Sequence, residues 1–168
     1  MKKICLSIIS ILLMLALMFF DSCKKDEYEL GPTRDFVNLM TGTWKVTQVI
    51  QIDEYAIKEG LEPTTMDRTN VMNFTDYQIT FNSDGSNPAT FVVDPGNAPN
   101  FVDDEGTWKL DNYNYPTTIL LTKTGASEPT SRFALTGPPR KGVPLMIRFE
   151  RYSQGVLLLS YEYTLTKQ

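Results

Sequence analysis

Histidine is missing from all 168 residues, and cysteine occurs only twice, as Cys5 and Cys23. Without imidazole there is no His-based general acid or base, no Ser-His-Asp or Cys-His nucleophile and no usual zinc site. Cys5 lies inside an apolar run over 4–20. The chain beyond that run therefore holds Cys23 alone and can form no internal disulfide. Positive charge is also short: 16 Lys and Arg stand against 20 Asp and Glu, for a net charge of −4. That balance keeps a small domain soluble and argues against a nucleic-acid partner held through its phosphates. From residue 23 onward no S-x-x-K sequence occurs, which removes Ser-Lys chemistry. For an enzyme, what remains is paired carboxylates or an all-oxygen metal site. No residue pattern calls for a cofactor.

The N-terminus has a charged start at Lys2 and Lys3, an apolar stretch from Ile4 to Phe20, then Asp21, Ser22 and Cys23. A polar segment, Lys24-Lys25-Asp26-Glu27, follows. This is the outline of an export signal. A cysteine just past a small residue resembles the lipobox of bacterial lipoproteins, although Phe20 and Asp21 stand where the strict pattern has an aliphatic and a small residue. The looser signals of the Bacteroidetes group are the nearer likeness. That resemblance implies cleavage after residue 22 and acylation of Cys23. The alternative is an uncleaved membrane anchor, since the almost unbroken apolar run of seventeen residues reaches the lower edge of a bilayer span. The Lys25-Asp26-Glu27 cluster resembles the tag that directs some lipoproteins of that group to the outer face of the outer membrane; a solvated tether is the plainer reading. The expected organisation is a signal peptide over 1–22, a tether over 23–33 and one domain over 34–168. Cleavage would leave 14 basic and 19 acidic residues, a net charge of −5.

From Arg34 the pattern has period two and is rich in β-branched and aromatic residues. In the first run Trp44, Val46, Ile50 and Ile52 are expected on one face, with Lys45, Thr47 and Gln51 on the other. Further strands are expected at 77–82, 89–94, 106–111, 117–123, 132–136, 143–152 and 156–167, about eight in all. Asn82-Ser83-Asp84-Gly85, Asp94-Pro95-Gly96-Asn97 and Tyr152-Ser153-Gln154-Gly155 supply turns between them. Regular strands without amphipathic helices between them predict an antiparallel sandwich or barrel. A short helix is expected over 33–41, capped by Thr33, with Phe36, Leu39 and Met40 on one face and Gly42 at its end. The stretch 53–76 has weak periodicity, with one or two helical turns conceivable over 66–72, and is long enough to act as a lid or covering loop.

Gly42-Thr43-Trp44 opens the first strand directly after the predicted helix, and Gly106-Thr107-Trp108 repeats the tripeptide, each copy continuing with lysine and an aliphatic residue. Between them lies Ile79-Thr80-Phe81-Asn82-Ser83-Asp84-Gly85. This ordered set resembles the lipocalin-like domains of Bacteroidetes lipoproteins. The resemblance implies an eight-stranded antiparallel up-and-down β-barrel in which Gly42, Trp44, Gly106 and Trp108 are structural plug residues. True lipocalins add a C-terminal helix and an arginine stacked on the tryptophan. Here Gln168 follows directly on the final strand, and Arg148 and Arg151 lie on the penultimate one.

Phe81, Phe91, Phe101, Tyr113, Tyr115, Phe133, Phe149, Tyr161 and Tyr163 lie on or beside predicted strands. They either line a cavity for a small hydrophobic or glycan ligand or fill a barrel barely wide enough for its own side chains. In the last strand Leu157, Leu159, Tyr161, Tyr163 and Leu165 share a face and suggest a closing strand. Asp103-Asp104-Glu105 reads as a calcium or catalytic carboxylate cluster or, more plainly, as an exposed charged loop. Asn82-x-Asp84-Gly85 lacks the downstream acidic ligand of a calcium loop and reads as a hairpin. Pro138-Pro139-Arg140-Lys141 is a recognition segment or an ordinary loop. No catalytic or metal residues are assigned, and no ligand-binding residue is named. The expected function is a non-enzymatic barrel, anchored to the outer membrane by acyl chains on Cys23 and exposed in the cell envelope. It would bind a small hydrophobic or glycan ligand or an envelope protein partner. The alternatives are a carboxylate-based polysaccharide hydrolase and an enzyme inhibitor acting through 53–76.

Overall fold

The computed structural model describes residues 34–168. Cys23, the signal and tether segments, and the proposed Thr33 cap lie outside these residues. Nine antiparallel strands form one sheet: β1 (Gly42–Asp53), β2 (Thr65–Asp67), β3 (Gln78–Asp84), β4 (Asn87–Asp94), β5 (Glu105–Leu110), β6 (Thr118–Lys123), β7 (Ser131–Leu135), β8 (Leu145–Ser153) and β9 (Val156–Lys167). From β3 to β9 each strand pairs with its sequence neighbour, and β9 returns to pair with β1 along most of its length. Eight strands thus close an up-and-down barrel, the architecture the resemblance implies and one of the two the period-two pattern leaves open, and the short β2 is added to the far half of β1. Closure gives each barrel strand a partner on both sides, although β7 and β8 pair only at Ala134 with Arg148 and Leu135 with Ile147.

The pairing registers define two ends. The starts of β1 and β8, the β3–β4 and β7–β8 connections and the end of β9 lie at one end, here called the base. The β1–β3 connection, the β4–β5 loop and the β8–β9 hairpin lie at the other, the top. Helix α1 (Phe36–Met40) closes the base. Its cap is Asp35, whose carboxylate accepts the Asn38 N–H at 3.0 Å, and it buries Phe36, Val37 and Met40. At the top, the 53–76 connection contains α2 (Glu54–Glu59), β2 and a 3-10 turn at Phe74–Asp76. Asp53 caps α2 by accepting the Ala56 N–H at 2.8 Å, and Gly60 ends it in the left-handed region at φ +67°. The turns conceivable over 66–72 are instead β2 followed by turn structure, because Thr65–Asp67 pairs with Ile50–Ile52.

One face assignment is corrected. Val46 pairs with Leu165 and Gln48 with Thr164, so Thr47 is an extra residue and β1 bulges there. A single inserted residue reverses the face of everything after it. Trp44, Val46 and Val49 are buried, whereas Ile50 and Ile52 pass to the opposite face and are only half-buried.

The interior is filled. Phe74, Phe81, Phe91, Phe133 and Tyr163 are almost wholly buried together with Met40, Ile79, Ile119, Leu121, Ile147 and Leu165. Burying each such side chain contributes about 2 kcal/mol relative to exposure. Tyr163 touches Phe74, Tyr77 and Phe133 with ring centroids 5.5, 5.9 and 6.0 Å apart. Phe101 continues the array to Phe149 at 5.5 Å and Tyr161 at 4.8 Å. Aromatics therefore act mainly as filling in a barrel of this width. Tyr113 and Tyr115 are the exceptions, exposed in the β5–β6 loop. Tyr161, Tyr163 and Leu165 of β9 point inward, as expected for a closing strand.

Candidate binding surfaces at the two ends of the barrel

At the base, Gly42 has φ +123°, a conformation open to glycine and strained for other residues. It carries the chain from α1 straight into β1. A Cβ there would stand 2.7 Å from Lys167 Cε. The adjacent Trp44 is buried and donates its indole N–H to the Met40 carbonyl at 2.7 Å, tying the helix to the first strand. The Lys167 ammonium lies 5.5 Å from the Trp44 ring centroid and donates to the Leu39 carbonyl at 3.4 Å. The cation over this tryptophan thus comes from the end of β9. Arg148 is engaged by Glu54 and Glu162 on the outer wall, and Arg151 by the Phe101 ring at the top.

The second copy of the tripeptide is placed differently. Trp108 is buried in the wall beneath the β3–β4 hairpin, 5.1 Å from the Phe81 ring. Its indole donates at 2.7 Å to the carbonyl of Asn82, at the point where the β3–β4 register shifts. Gly106 is needed for closeness: a Cβ would lie 2.0 Å from the Thr122 carbonyl oxygen on β6. Both glycines and both tryptophans are thus structural contacts at different places, and no ligand group is required to explain them.

A recess of about 450 Å³ opens beside Trp44 at the base. Asn38, Leu39, Val143 and Pro144 form part of its wall, and its charged lining is Arg140, Lys141 and Lys167. The segment Pro138-Pro139-Arg140-Lys141 thus supplies two of the three cations. Among the described residues no carboxylate lines the recess and none forms an ion pair with these cations. Lys167 was missed as a site residue by sequence reading, because its partner Trp44 lies at the other end of the domain sequence.

The top is sealed by its connections. Phe74 of the 3-10 turn is fully buried against Tyr163, and Phe101 of the β4–β5 loop lies across Phe149 and Tyr161 with the Arg151 guanidinium 5.8 Å from its centroid. Beside Phe101 is a recess of about 270 Å³, at the stretch where β7 and β8 are not paired above Ala134 and Arg148. On the outer wall Arg148 bridges Glu54 of α2 at 3.6 Å and Glu162 of β9 at 3.1 Å, while the Ser160 hydroxyl donates to Glu54 at 2.5 Å. This network holds α2 to the barrel. The outward side of the connection leaves Tyr55, Ile57, Leu61, Met66 and Val71 exposed.

Carboxylates are drawn into local structure. Asp103 accepts hydroxyl hydrogen bonds from Thr130 at 2.5 Å and Ser131 at 3.3 Å, and Asp104 accepts from the Asn100 amide at 2.8 Å. With Glu105 they border a shallow recess of about 480 Å³. Burial would raise the Asp111 carboxyl, but hydrogen bonds from Thr117, Thr118 and Asn112 outweigh it and hold it below the ordinary carboxylate range. The Tyr77 phenol is pushed up by burial and secondarily by the negative charge of Asp104, and burial likewise raises Tyr163. Both stay neutral and serve as packing groups. Asn82-x-Asp84-Gly85 is the β3–β4 hairpin, with Gly85 at φ +61°. Among the described residues no group of three or more His, Cys, Asp or Glu is placed to hold a metal ion.

No curated protein and no solved structure matches the chain. Residues 21–166 match a family described as a domain of unknown function (DUF5004), a span that runs from before α1 to Thr166, the residue before the last of β9. With that extent of match, the chain belongs to the DUF5004 family.

Proposed function

We propose that this chain is a non-enzymatic, lipid-anchored barrel of the cell envelope, lipocalin-like in kind and of the Bacteroidetes lipoprotein type, which engages an envelope protein through the connections at its top. The observation that carries this reading is where the apolar surface lies. Rings from Phe74 to Phe101 occupy the interior, so a carrier cavity of the usual 300–1,000 Å³ has no room inside. The single 53–76 connection meanwhile exposes five large apolar side chains held on a rigid support. Exposed apolar residues at such a density mark contact surfaces. Export and acylation at Cys23 are supported by the signal-like N-terminus and by the single cysteine that follows it.

Two measurements test the proposal. Metabolic labelling with a radioactive fatty acid should mark the full chain and not the Cys23→Ser variant; an unlabelled wild type removes the anchor. A photo-crosslinking residue placed at Ile57 or Val71 in the native envelope should yield one adduct of defined mass. The same residue at Tyr115 should yield none. Equal crosslinking at all three positions, or none, ends the partner reading.

A further inference from the structure

We infer that the recess at the base is a binding site for a phosphate group carried on an apolar body, a site independent of the partner surface at the top. Three cations from two elements converge on it: Arg140 and Lys141 from the β7–β8 loop and Lys167 from the end of β9. They do so in a chain whose acidic residues outnumber its basic ones, 20 to 16. A chance surface of this protein would carry more carboxylates than cationic groups, yet among the described residues no carboxylate lines the recess.

One of the three cations is already engaged by the protein. Lys167 lies over the Trp44 ring and donates to the Leu39 carbonyl. An ammonium needs only two of its donors for such contacts, so one remains for an incoming anion. Arg140 and Lys141 stand on a turn closed by the Val143 N–H to the Arg140 carbonyl at 3.4 Å, with Gly142 at φ +72°. An arginine fork beside two ammonium point charges matches the oxygens of a phosphate better than a single carboxylate. The rest of the lining argues against a bare ion. Leu39, Trp44, Val143 and Pro144 are apolar and outnumber the neutral polar Asn38 and Thr166, and about 450 Å³ exceeds what one phosphate needs. A phospholipid headgroup with the start of its acyl chains meets both requirements.

The test uses the full chain in maltoside micelles, which carry no charge. Nitrogen–proton spectra are followed at the Trp44 indole and the Gly142 and Val143 amides. Dihexanoyl phosphatidic acid is titrated in one arm and inorganic phosphate in the other. Saturable shifts of all three signals with the lipid are expected, together with at least a tenfold weaker apparent affinity in the Arg140→Ala, Lys141→Ala double variant. Inorganic phosphate should act more weakly, because it lacks the apolar body. If phosphate saturates the site as tightly as the lipid, the apolar half of the inference fails and a free anion is the ligand. If neither probe gives saturable shifts, or the double variant responds unchanged, the site is overturned. Lys123→Ala, at the top end of β6, serves as the charge control and should leave both titrations as they are. Crosslinking at Ile57 reads the other end of the barrel, so the two readings can fail separately.

Discussion

Gly42-Thr43-Trp44-Lys45 and Gly106-Thr107-Trp108-Lys109 are the same four residue types in two strands of one barrel, yet they are held for different reasons. At the first, the glycine is demanded by its backbone angle and the tryptophan fastens a helix to the base. At the second, the glycine is demanded by a carbonyl on the next strand, and the tryptophan fastens a hairpin to the wall. After the first copy the strand bulges at Thr47 and continues to Asp53; after the second it stops at Leu110, and Asp111 organises the loop. A repeated motif therefore carries a local instruction, glycine then an inward indole, while each neighbourhood decides what that instruction accomplishes.

Substitutions at matched positions sharpen the contrast. Trp44→Ala and Trp108→Ala should each cost about 3–5 kcal/mol, read as a lowered urea midpoint, since both remove a large buried ring and strand a carbonyl. Near-neutral behaviour at either would show that its indole is not part of the packing. Gly106→Ala should cost about 3 kcal/mol, because a backbone oxygen 2.0 Å from the new Cβ can yield only by moving β6. Gly42→Ala should cost less, about 1–2 kcal/mol, since Lys167 is a flexible side chain that can swing aside and the strain in φ is what remains. The reverse order of the two alanine variants would break the distinction drawn between them. Lys167→Met should lose about 0.5–1 kcal/mol and shift the Trp44 indole signal without touching that of Trp108.

The smallest effect concerns acid. Asp111 has a lowered carboxyl pKa in the folded chain, so its stabilisation is complete above the unfolded value of about 4 and is lost as pH falls through the folded value. Asp111→Asn should therefore flatten the acid limb of the stability curve below about pH 4, with wild type and variant converging there. No such change is expected from altering Thr47 after the first copy.

Much of the barrel was legible because its strands alternate cleanly and end on residues with a turn mechanism. Gln154 and Gly155 at φ +49° and +78° give β8–β9 the two-residue hairpin that its sequence announces. Other features were not legible. The bulge at Thr47 sits among ordinary strand residues and carries no glycine to mark it. Helix α2 is only six residues long, too short to show a period, although Asp53 and Gly60 cap it by the standard chemistry. Pairing of Arg148 with Glu54 and Glu162 joins residues far apart in the chain. Among the aromatics, sequence position gave no means of separating Phe101, which lies over the top, from Tyr115, which faces solvent.

By itself the sequence determined which chemistries are impossible, where the chain alternates and where it turns, because those properties depend on residue type and on neighbours two to four positions away. Only the tertiary structure decided that the barrel is filled, that a lysine covers Trp44 and that three cations share one recess. Those outcomes depend on strand closure, which brings β9 back against β1 and juxtaposes side chains that no local pattern connects.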